Sequence, residues 1–399
     1  MKYVYSCAFF WCMFYGILFG CFSMPDFLGY WDELTTMILL VLCIVKLIMN
    51  NNGKIKINLY LKFLNTWILL SVVGVIGNFL WGYANGIQAI LRDYVNCLKF
   101  PICFFAFNYL GLDYKIKEAM IDKGNKLLKL IVLIMFSGGV VSLFFDIGLS
   151  QISEIRHGIN SYQFLFGHPT SLAVVCVLIL CWFNSFEEKH YYIYMFACIS
   201  ILVLTMRTKV LAFVALFIFA KWSPKWIKRY KIMYIVICVL VVAFSIYDKL
   251  RLIMSWSSSG RLTLWLGAVE LVKKCFPFGS GFATYASHLS GKYYSQVYTF
   301  IYSNEFWDST GKFTNVLGDT GYPYYIGQFG FIGLVLIAVS ISYLINILKV
   351  NLLTYKSALL LMAYVVIALT GESILINNGV EIALVLSMIK ANSCYTTES

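Results

Sequence analysis

Charged residues are scarce in this chain: they make up 13% of its 399 residues, whereas 60% of the residues are hydrophobic. A soluble domain cannot bury so much apolar surface, so the composition excludes a water-soluble globular protein and indicates a polytopic membrane protein. The apolar segments have the length of helices and lack the alternation that is typical of barrel strands. We therefore predict an all-α membrane protein.

Several chemical signatures are also missing. The chain has four histidines, no Cys-x-x-Cys motif and no histidine–cysteine spacing typical of a metal site, so we expect no metal or redox centre. We find no nucleotide-binding glycine loop, no low-complexity tract and no inverted internal repeat. The twelve cysteines fall mostly in apolar runs, where they are expected to be small buried hydrophobic residues. No cofactor is predicted.

Apolar runs long enough to cross a bilayer occur along most of the chain. The first run is too long for the core of a signal peptide, so we interpret it as a retained first helix. We predict about twelve membrane spans of about twenty residues each, at approximately residues 5–24, 34–50, 60–82, 95–112, 127–149, 168–186, 190–206, 208–222, 230–247, 320–347, 355–371 and 373–391.

These spans divide the chain into four parts. Residues 1–247 are predicted to form a nine-helix transmembrane bundle, and residues 248–318 a large outer loop with short amphipathic helices. Residues 319–391 add three spans, and residues 392–399 are predicted to be a cytoplasmic tail. A loop of this length, rich in aromatic residues and glycine, exceeds what a connection requires. We therefore expect it to carry part of the active site.

Lysine and arginine determine the predicted orientation. The net charge is +12, and many cations fall in the loops near residues 50–62, 111–129 and 221–231. The positive-inside rule assigns these loops to the cytoplasm, which explains the charge better than a nucleic-acid partner does. The large loop then faces the periplasm, or the exterior of a cell with one membrane. The first outward loop carries Asp32 and Glu33.

Some arginines lie on the predicted outer side, although the positive-inside rule places most cations in the cytoplasm. Three of these arginines are candidate phosphate ligands. Arg207 lies between two spans, where its guanidinium either anchors a helix end or binds phosphate oxygens. Arg261 begins an amphipathic run, which is either an anion-binding helix N-terminus or a helix on the membrane surface. Arg156 precedes Gly167 in another outward loop. The complete set is Arg92, Arg156, Arg207, Arg251 and Arg261.

Two residues are candidates for acid–base chemistry. His288 is the only histidine of the large loop, where it is either a base or a structural or solvated residue. Asp319 can orient a sugar hydroxyl, take its proton or cap the next helix. The apolar face of the run after Arg261 is predicted to contain Leu262, Trp265, Leu266, Val269 and Val272.

Two motifs flank the large loop's second half. One is Ser259-Gly-Arg261 with Trp265, followed by Pro277-Phe-Gly-Ser-Gly281; the other is Asp319-Thr-Gly-Tyr322, followed by glycines at 327, 330 and 333. With the span layout, they resemble the O-antigen polymerase (Wzy) family, within the O-antigen ligase and polymerase superfamily. Arg207 is similar to the family's arginine at a short outward turn, and the spacing from Arg156 to Gly167 resembles that of polymerases. Ligases typically have histidine where this chain has Asp319, which favours a polymerase.

The resemblance implies a metal-independent glycosyltransferase of the bacterial inner membrane that makes O-antigen, a lipopolysaccharide component, or capsule. Its partners would be donor and acceptor glycans on undecaprenyl diphosphate, membrane lipids and a chain-length regulator. We predict two groups of site residues. The catalytic group is Arg207, Arg261, Asp319 and His288. The substrate-binding group is Arg156, Gly260, Trp265, Gly279, Gly281 and Tyr322.

Three alternatives stay open at this point. A ligase of the same superfamily would transfer the glycan to another acceptor. A flippase or other transporter would have internal symmetry and charges deep within its spans, whereas Lys46 and Lys99 are predicted to lie near the ends of theirs. The third alternative is a structural partner in polysaccharide assembly.

Overall fold

The computed structural model of the protein describes residues 2–21, 29–49, 59–111, 124–156, 158–186, 190–222, 260–301, 317–318, 320–349 and 352–395. In these ranges the chain is almost entirely helical, with one two-stranded sheet, so the predicted all-α class is confirmed. The predicted span at 230–247 lies outside the described residues.

Most helices coincide with predicted spans. Three of them, α3, α5 and α12, are long and apolar enough to cross a membrane, which indicates a membrane protein. The number of spans stays a prediction. The described elements are α1 (Lys2–Cys21), α2 (Trp31–Met49), α3 (Leu59–Trp81), α4 (Ile87–Leu110), α5 (Asn125–Ser142), β1 (Ser150–Arg156), β2 (Ile159–Tyr162), α6 (Pro169–Asn184), α7 (Tyr191–Leu204), α8 (Thr208–Trp222), α9 (Gly260–Lys274), α10 (His288–Lys292), α11 (Val297–Phe300), α12 (Gly321–Leu348), α13 (Leu352–Ala368), α14 (Ile374–Asn377) and α15 (Gly379–Tyr395).

Helix α6 lies at the centre of the bundle. Nearly all of its side chains are buried, from Leu172 to Asn184, as expected for a helix that is apolar on every side. It packs against α7, α13 and α15, while α15 also packs along α4 and α12 packs along α3. The β1–β2 hairpin connects α5 to α6, and Gly158 in its turn adopts a φ of 80° that favours glycine.

The glycine-rich loop after α9 is locked into a break in α12. Gly330 interrupts α12 with φ 58° and ψ −153°, and the loop donates backbone hydrogen bonds from Ser280 to the Gly327 carbonyl (3.0 Å) and from Gly281 to the Gln328 carbonyl (2.9 Å). A Cβ at Gly279 would collide with the backbone of Gly330, and the reverse also holds. We call Gly279, Gly281, Gly327 and Gly330 the glycine junction; it joins the two sequence motifs into one structural unit.

Helix α9 packs into the protein with a different face from the apolar face identified in the sequence. Leu264, Ala268 and Leu271 are buried, whereas Leu266 and Val269 are 46% and 49% exposed. The small residues Gly267 and Ala268 let α9 approach Tyr285 and α12 closely, since a Cβ at Gly267 would overlap the Tyr285 hydroxyl. Close backbone packing, rather than the largest apolar side chains, therefore determines which face is buried.

One end of the bundle carries lysines at the ends of its helices. Lys46 donates to the Tyr109 carbonyl (2.8 Å), and Lys221 donates to Asn184 Oδ1 (2.9 Å). Lys390 lies 4.4 Å from the Tyr60 ring centroid, and Lys129 lies 4.2 Å from that of Tyr191. We call this the lysine end, defined by Lys46, Lys129, Lys221 and Lys390.

Candidate functional site

A cavity of about 760 Å³ lies at the opposite end of the bundle, which we call the cavity end. Its wall combines the beginnings of α2 and α4 with α10, Gly318 and α14. Pockets that bind small molecules have volumes of about 300–1,000 Å³, so this large cavity has room for a ligand. Its lining includes carboxylates, cations, amides and aromatic rings.

A three-residue ion cluster forms one part of the large cavity's wall. Lys99, whose side chain is 4% exposed, donates to the carboxylates of Asp32 and of Glu33, the latter at 3.0 Å. The acids occupy the first turn of α2, where negative charge is favourable. Burying an ammonium ion requires such partners. Because two carboxylates face one ammonium group, the cluster has a formal excess of negative charge.

Arg92, Lys292 and His288 form the cationic and imidazole part of the same wall. The Arg92 guanidinium lies 5.4 Å from the Tyr30 ring centroid. None of the three forms an ion pair or side-chain hydrogen bond with another residue in the described ranges. Their donors are therefore available to a ligand, within the part of the chain that is described.

A network of hydrogen bonds holds the segment before α10 against α3, α4 and α12. Asn78 accepts from the Phe282 N–H (2.8 Å) and donates to the Phe282 carbonyl (2.8 Å), while Asp93 accepts from the Ala283 N–H (2.7 Å). Gln328 donates to the Tyr285 carbonyl (2.8 Å). Hydrogen bonds between buried side chains and backbone groups restrict movement of the segments that they join, so the network fixes the path of the chain into α10.

The N-terminus of α10 is capped, which positions His288. Ser287 and Ser290 form a reciprocal capping box, and the Tyr298 hydroxyl accepts from the Ala286 N–H (2.9 Å) and contacts Ser290 Oγ (2.8 Å). Burial raises the pKa of the Tyr298 phenol, so the group stays neutral and can act as both donor and acceptor. His288 therefore stands exposed on a fixed turn beside Gly318.

A second cavity, of about 360 Å³, is lined by Gly167, His168, Ser171, Tyr15 and Glu381; we call it the small cavity. His168 caps α6, because its Nδ1 accepts from the Thr170 N–H (3.2 Å). A neutral ring bonded in this way carries its proton on Nε2. The Arg207 guanidinium lies 3.5 Å from that Nε2. The two side chains thus present donors side by side, an arrangement that suits an anion.

The segment that carries Arg207 is firmly anchored. The Arg207 carbonyl accepts the first backbone hydrogen bonds of α8, from Val210 and Leu211 at 2.9 Å each. Two residues later, Lys209 forms a buried ion pair with Glu372 (2.8 Å) from the connection between α13 and α14. The guanidinium is half-buried, so it is held at the mouth of the bundle rather than free in solvent.

The predicted site residues fall into separate groups. His288 lines the large cavity and Arg207 lies beside the small one. Trp265 and Tyr322 are neighbours, with ring centroids 5.7 Å apart, and line neither cavity. Gly279 and Gly281 belong to the glycine junction, where their visible role is close packing. Gly260 begins α9. Whether these residues bind substrate stays a prediction.

Three predicted residues are described incompletely or not at all. Arg261 lies in the first turn of α9 and Arg156 at the end of β1, which agrees with the predicted helix start at Arg261. Their side chains, and Asp319 as a whole, lie outside the described residues. Gly318, which precedes Asp319, lines the large cavity.

The sequence pointed to some residues of the large cavity without assigning them a role. Arg92 stood out as a cation in an outward loop, and Asp32 and Glu33 as acids in another. Lys99 was predicted near the end of a span, and this stays a prediction. In the structure α4 begins at Ile87, so Lys99 lies near the middle of that helix while its partners lie in the first turn of α2.

Within the described ranges, no group of three His, Cys, Asp or Glu side chains is arranged to hold a metal ion. Comparison of the chain with models of protein families, with curated proteins and with solved structures gives no match. Arguments about function therefore depend on the chemistry of the two cavities.

Proposed function

We propose that the protein is a bacterial surface-polysaccharide polymerase, which transfers a growing glycan from undecaprenyl diphosphate to a lipid-linked repeat unit. One observation carries the proposal. The large cavity brings together carboxylates, cations, amides and aromatic rings, most of them from segments that the sequence assigns to the outer side or to the outer ends of spans. Such a mixture suits a hydroxylated, negatively charged substrate. The proposal retains the twelve spans, with the cavity end outside the cytoplasmic membrane.

In the proposed reaction, a hydroxyl oxygen of the acceptor sugar attacks the anomeric carbon of the donor. A new carbon–oxygen bond forms, the bond to the lipid diphosphate breaks, and the diphosphate leaves with the electron pair. The hydroxyl proton passes to Asp319 or His288, the two candidates that the sequence offers. Since diphosphate is a good leaving group, the transfer does not require a strong base.

Charge on the departing diphosphate is the feature that the protein has to stabilise. Cations fixed in advance near that charge stabilise the transition state more than the ground state. The adjacent donors of Arg207 and His168 support this role for Arg207. Arg261 is proposed to act with Arg207, and Arg156 to hold the second lipid diphosphate.

A transporter of lipid-linked sugars is the second candidate, because one observation favours it. Lys99 and its partners are buried in the helical region, as charges in transport pathways are. Against this, the cluster is internally paired and lies at the wall of a cavity at one end of the bundle. A ligase differs from a polymerase only in its acceptor, so the choice between them requires a defined acceptor.

Purified protein incubated with extracted lipid-linked repeat units, and with no other acceptor, tests the proposal. A polymerase makes a ladder of glycans, whereas a ligase or a transporter leaves single repeats. Lysine-end variants such as Lys221→Gln serve as controls and should make the ladder normally. Failure of the wild-type protein to lengthen any chain under conditions that keep it folded would refute the proposal.

A further inference from the structure

The large cavity contains more polar groups than the proposed transfer uses. The diphosphate is assigned to arginines elsewhere, and the proton to His288 or Asp319. Asp32, Glu33, Arg92, Asn96 and Lys292 then line the cavity without a role. These side chains come from helices far apart in the sequence, so their convergence is a property of the fold.

Hydrogen-bond acceptors dominate the side of the cavity formed by α2 and the adjoining turn of α4. Glu33 Oε2 and Asn96 Oδ1 have no donor among the described residues. Burying such oxygens without a donor is unfavourable. A metal ion does not fit this wall, because the described residues offer no group of three His, Cys, Asp or Glu side chains arranged to hold one. Hydroxyl groups, which donate without adding charge, match it better.

The wall of the cavity also contains two cationic hydrogen-bond donors, Arg92 on α4 and Lys292 on α10. Arg92 and Lys292 carry positive charge and form no ion pair with a described residue. A guanidinium fork and an ammonium group are typical ligands of carboxylate and phosphate oxygens. These two cations therefore favour a negatively charged group on the same ligand.

Aromatic side chains complete the wall. Trp31 packs against Tyr15 with ring centroids 4.6 Å apart, and Tyr30 is 46% exposed beside Arg92. Rings of this kind offer flat apolar surface with a polar edge. The aliphatic face of a pyranose can lie against such a surface while its hydroxyls reach the polar side chains.

We propose that the large cavity is a binding site for an anionic carbohydrate, with sugar hydroxyls at Glu33 and Asn96 and the negative group at Arg92 and Lys292. That the carbohydrate is a lipid-linked repeat unit rests on the proposed function. Its negative charge has two possible sources: an acidic sugar within the repeat, or the diphosphate that links the repeat to lipid.

Protection of an introduced thiol tests the site without requiring turnover. Gln88 is exposed, lines the cavity and is not one of the proposed ligands, so a Gln88→Cys variant places a thiol at the wall. Its rate of reaction with a water-soluble maleimide is measured with and without extracted lipid-linked repeat unit. Lys349→Cys, exposed at the opposite end of the bundle, is the matched control, and the wild-type rate is the background.

The expected result is a slowing of at least fivefold for Gln88→Cys and none for Lys349→Cys. Adding Arg92→Gln or Lys292→Gln to the Gln88→Cys variant should remove the protection. Undecaprenyl diphosphate without sugar forms the second arm. Equal protection by it identifies the diphosphate as the anion, whereas protection by the complete repeat alone identifies an acidic sugar.

No slowing with the complete repeat unit overturns the proposed site. If the same preparation still makes a glycan ladder, the site fails while the proposed function stands. Protection without any ladder has the opposite meaning: the carbohydrate site stands and the polymerase proposal fails. If neither protection nor a ladder is observed, both the carbohydrate site and the polymerase proposal are refuted. Protection that survives Arg92→Gln together with Lys292→Gln would also contradict the assigned ligands.

Discussion

The two ends of the bundle use the same kind of residue in different ways. At the lysine end, Lys46 and Lys390 each contact a backbone carbonyl, an amide oxygen or an aromatic ring near a helix terminus. At the cavity end, Lys99 is 4% exposed and contacts two carboxylates. The first arrangement keeps cations at the boundary of an apolar layer, and the second places them within the protein around a space for a ligand.

This difference shows that charge carries two kinds of information in such a chain. The lysine end can be predicted by counting the cations in each loop of the sequence, because each lysine there acts alone. The cavity end depends on which helices meet. Variants that remove one group at each end can therefore confirm or contradict the distinction, and the following predictions run from the largest expected effect to the smallest.

Lys99→Met should destabilise the protein by about 3–5 kcal/mol, because it leaves the buried Asp32 carboxylate and the partly buried Glu33 carboxylate without their cation. Lys46→Met at the other end removes one hydrogen bond to the Tyr109 carbonyl and a cation–π contact with the Tyr109 ring, and should cost about 1 kcal/mol or less. Thermal unfolding of both variants in the same detergent measures the difference.

Equal destabilisation by the two lysine substitutions would contradict the distinction between the ends. Should Lys99→Met fail to accumulate, the triple variant Asp32→Asn, Glu33→Gln, Lys99→Met provides a second test. It removes all three charges together and should recover much of the lost stability.

Arg207→Ala should lower the rate of glycan extension about 10²- to 10³-fold, the loss typical of removing one preorganised donor from a charged transition state. Arg207→Lys should recover only part of the rate, since an ammonium group lacks the planar fork. Ladder formation from extracted lipid-linked repeats is the measurement. Lys221→Ala, at the lysine end, is the control; a normal rate in Arg207→Ala would remove Arg207 from the mechanism.

Gly279→Ala should cost about 1–3 kcal/mol more than Gly148→Ala, because only the first meets another backbone. Both glycines have nearly the same positive φ, 78° and 76°, so the conformational cost is matched. A Cβ at Gly148 has no neighbour within 4 Å, whereas one at Gly279 overlaps Gly330. Comparison of their unfolding midpoints isolates the close contact, and identical midpoints would show that the glycine junction is looser than described.

Two tyrosine-to-phenylalanine variants complete the comparison, and Tyr60→Phe should give the smallest effect of all. Tyr298→Phe leaves the buried Ala286 N–H without its acceptor and should cost about 1–3 kcal/mol. Tyr60→Phe removes one donor to Asn108, which keeps its contact with Lys390, and should cost about 0.5–1 kcal/mol. Thermal unfolding again measures both, and a reversed order would argue against the rigid turn that positions His288.

Helix content and the approximate positions of the helices could be predicted from the sequence, because long apolar runs are a local signal. The start of α9 at Gly260 was also expected. The face of α9 that is buried was not, since small residues at Gly267 and Ala268 outweigh larger apolar neighbours once α12 is present.

The composition of the large cavity could not be predicted in this way. Glu33 and Lys99 are 66 residues apart in the chain and meet only because α2 packs along α4. Periodicity reports the faces of single helices and says nothing about which helices become neighbours. His168 was recognised only as a loop histidine, because its position beside Arg207 requires the fold.

The glycine junction has a consequence for how sequence variants of this protein are interpreted. A side chain at Gly279 or at Gly330 would overlap the backbone of the other residue. A bulkier residue at either position therefore pushes apart two segments that together support the turn of His288. Loss of product in such a variant would look like the loss of a catalytic group while every reacting side chain remained unchanged. The partner glycine cannot compensate, because it has no side chain to shorten and the overlap is with its backbone. Both positions are therefore expected to require glycine together, although the whole second half of the outer loop lies between them in the chain.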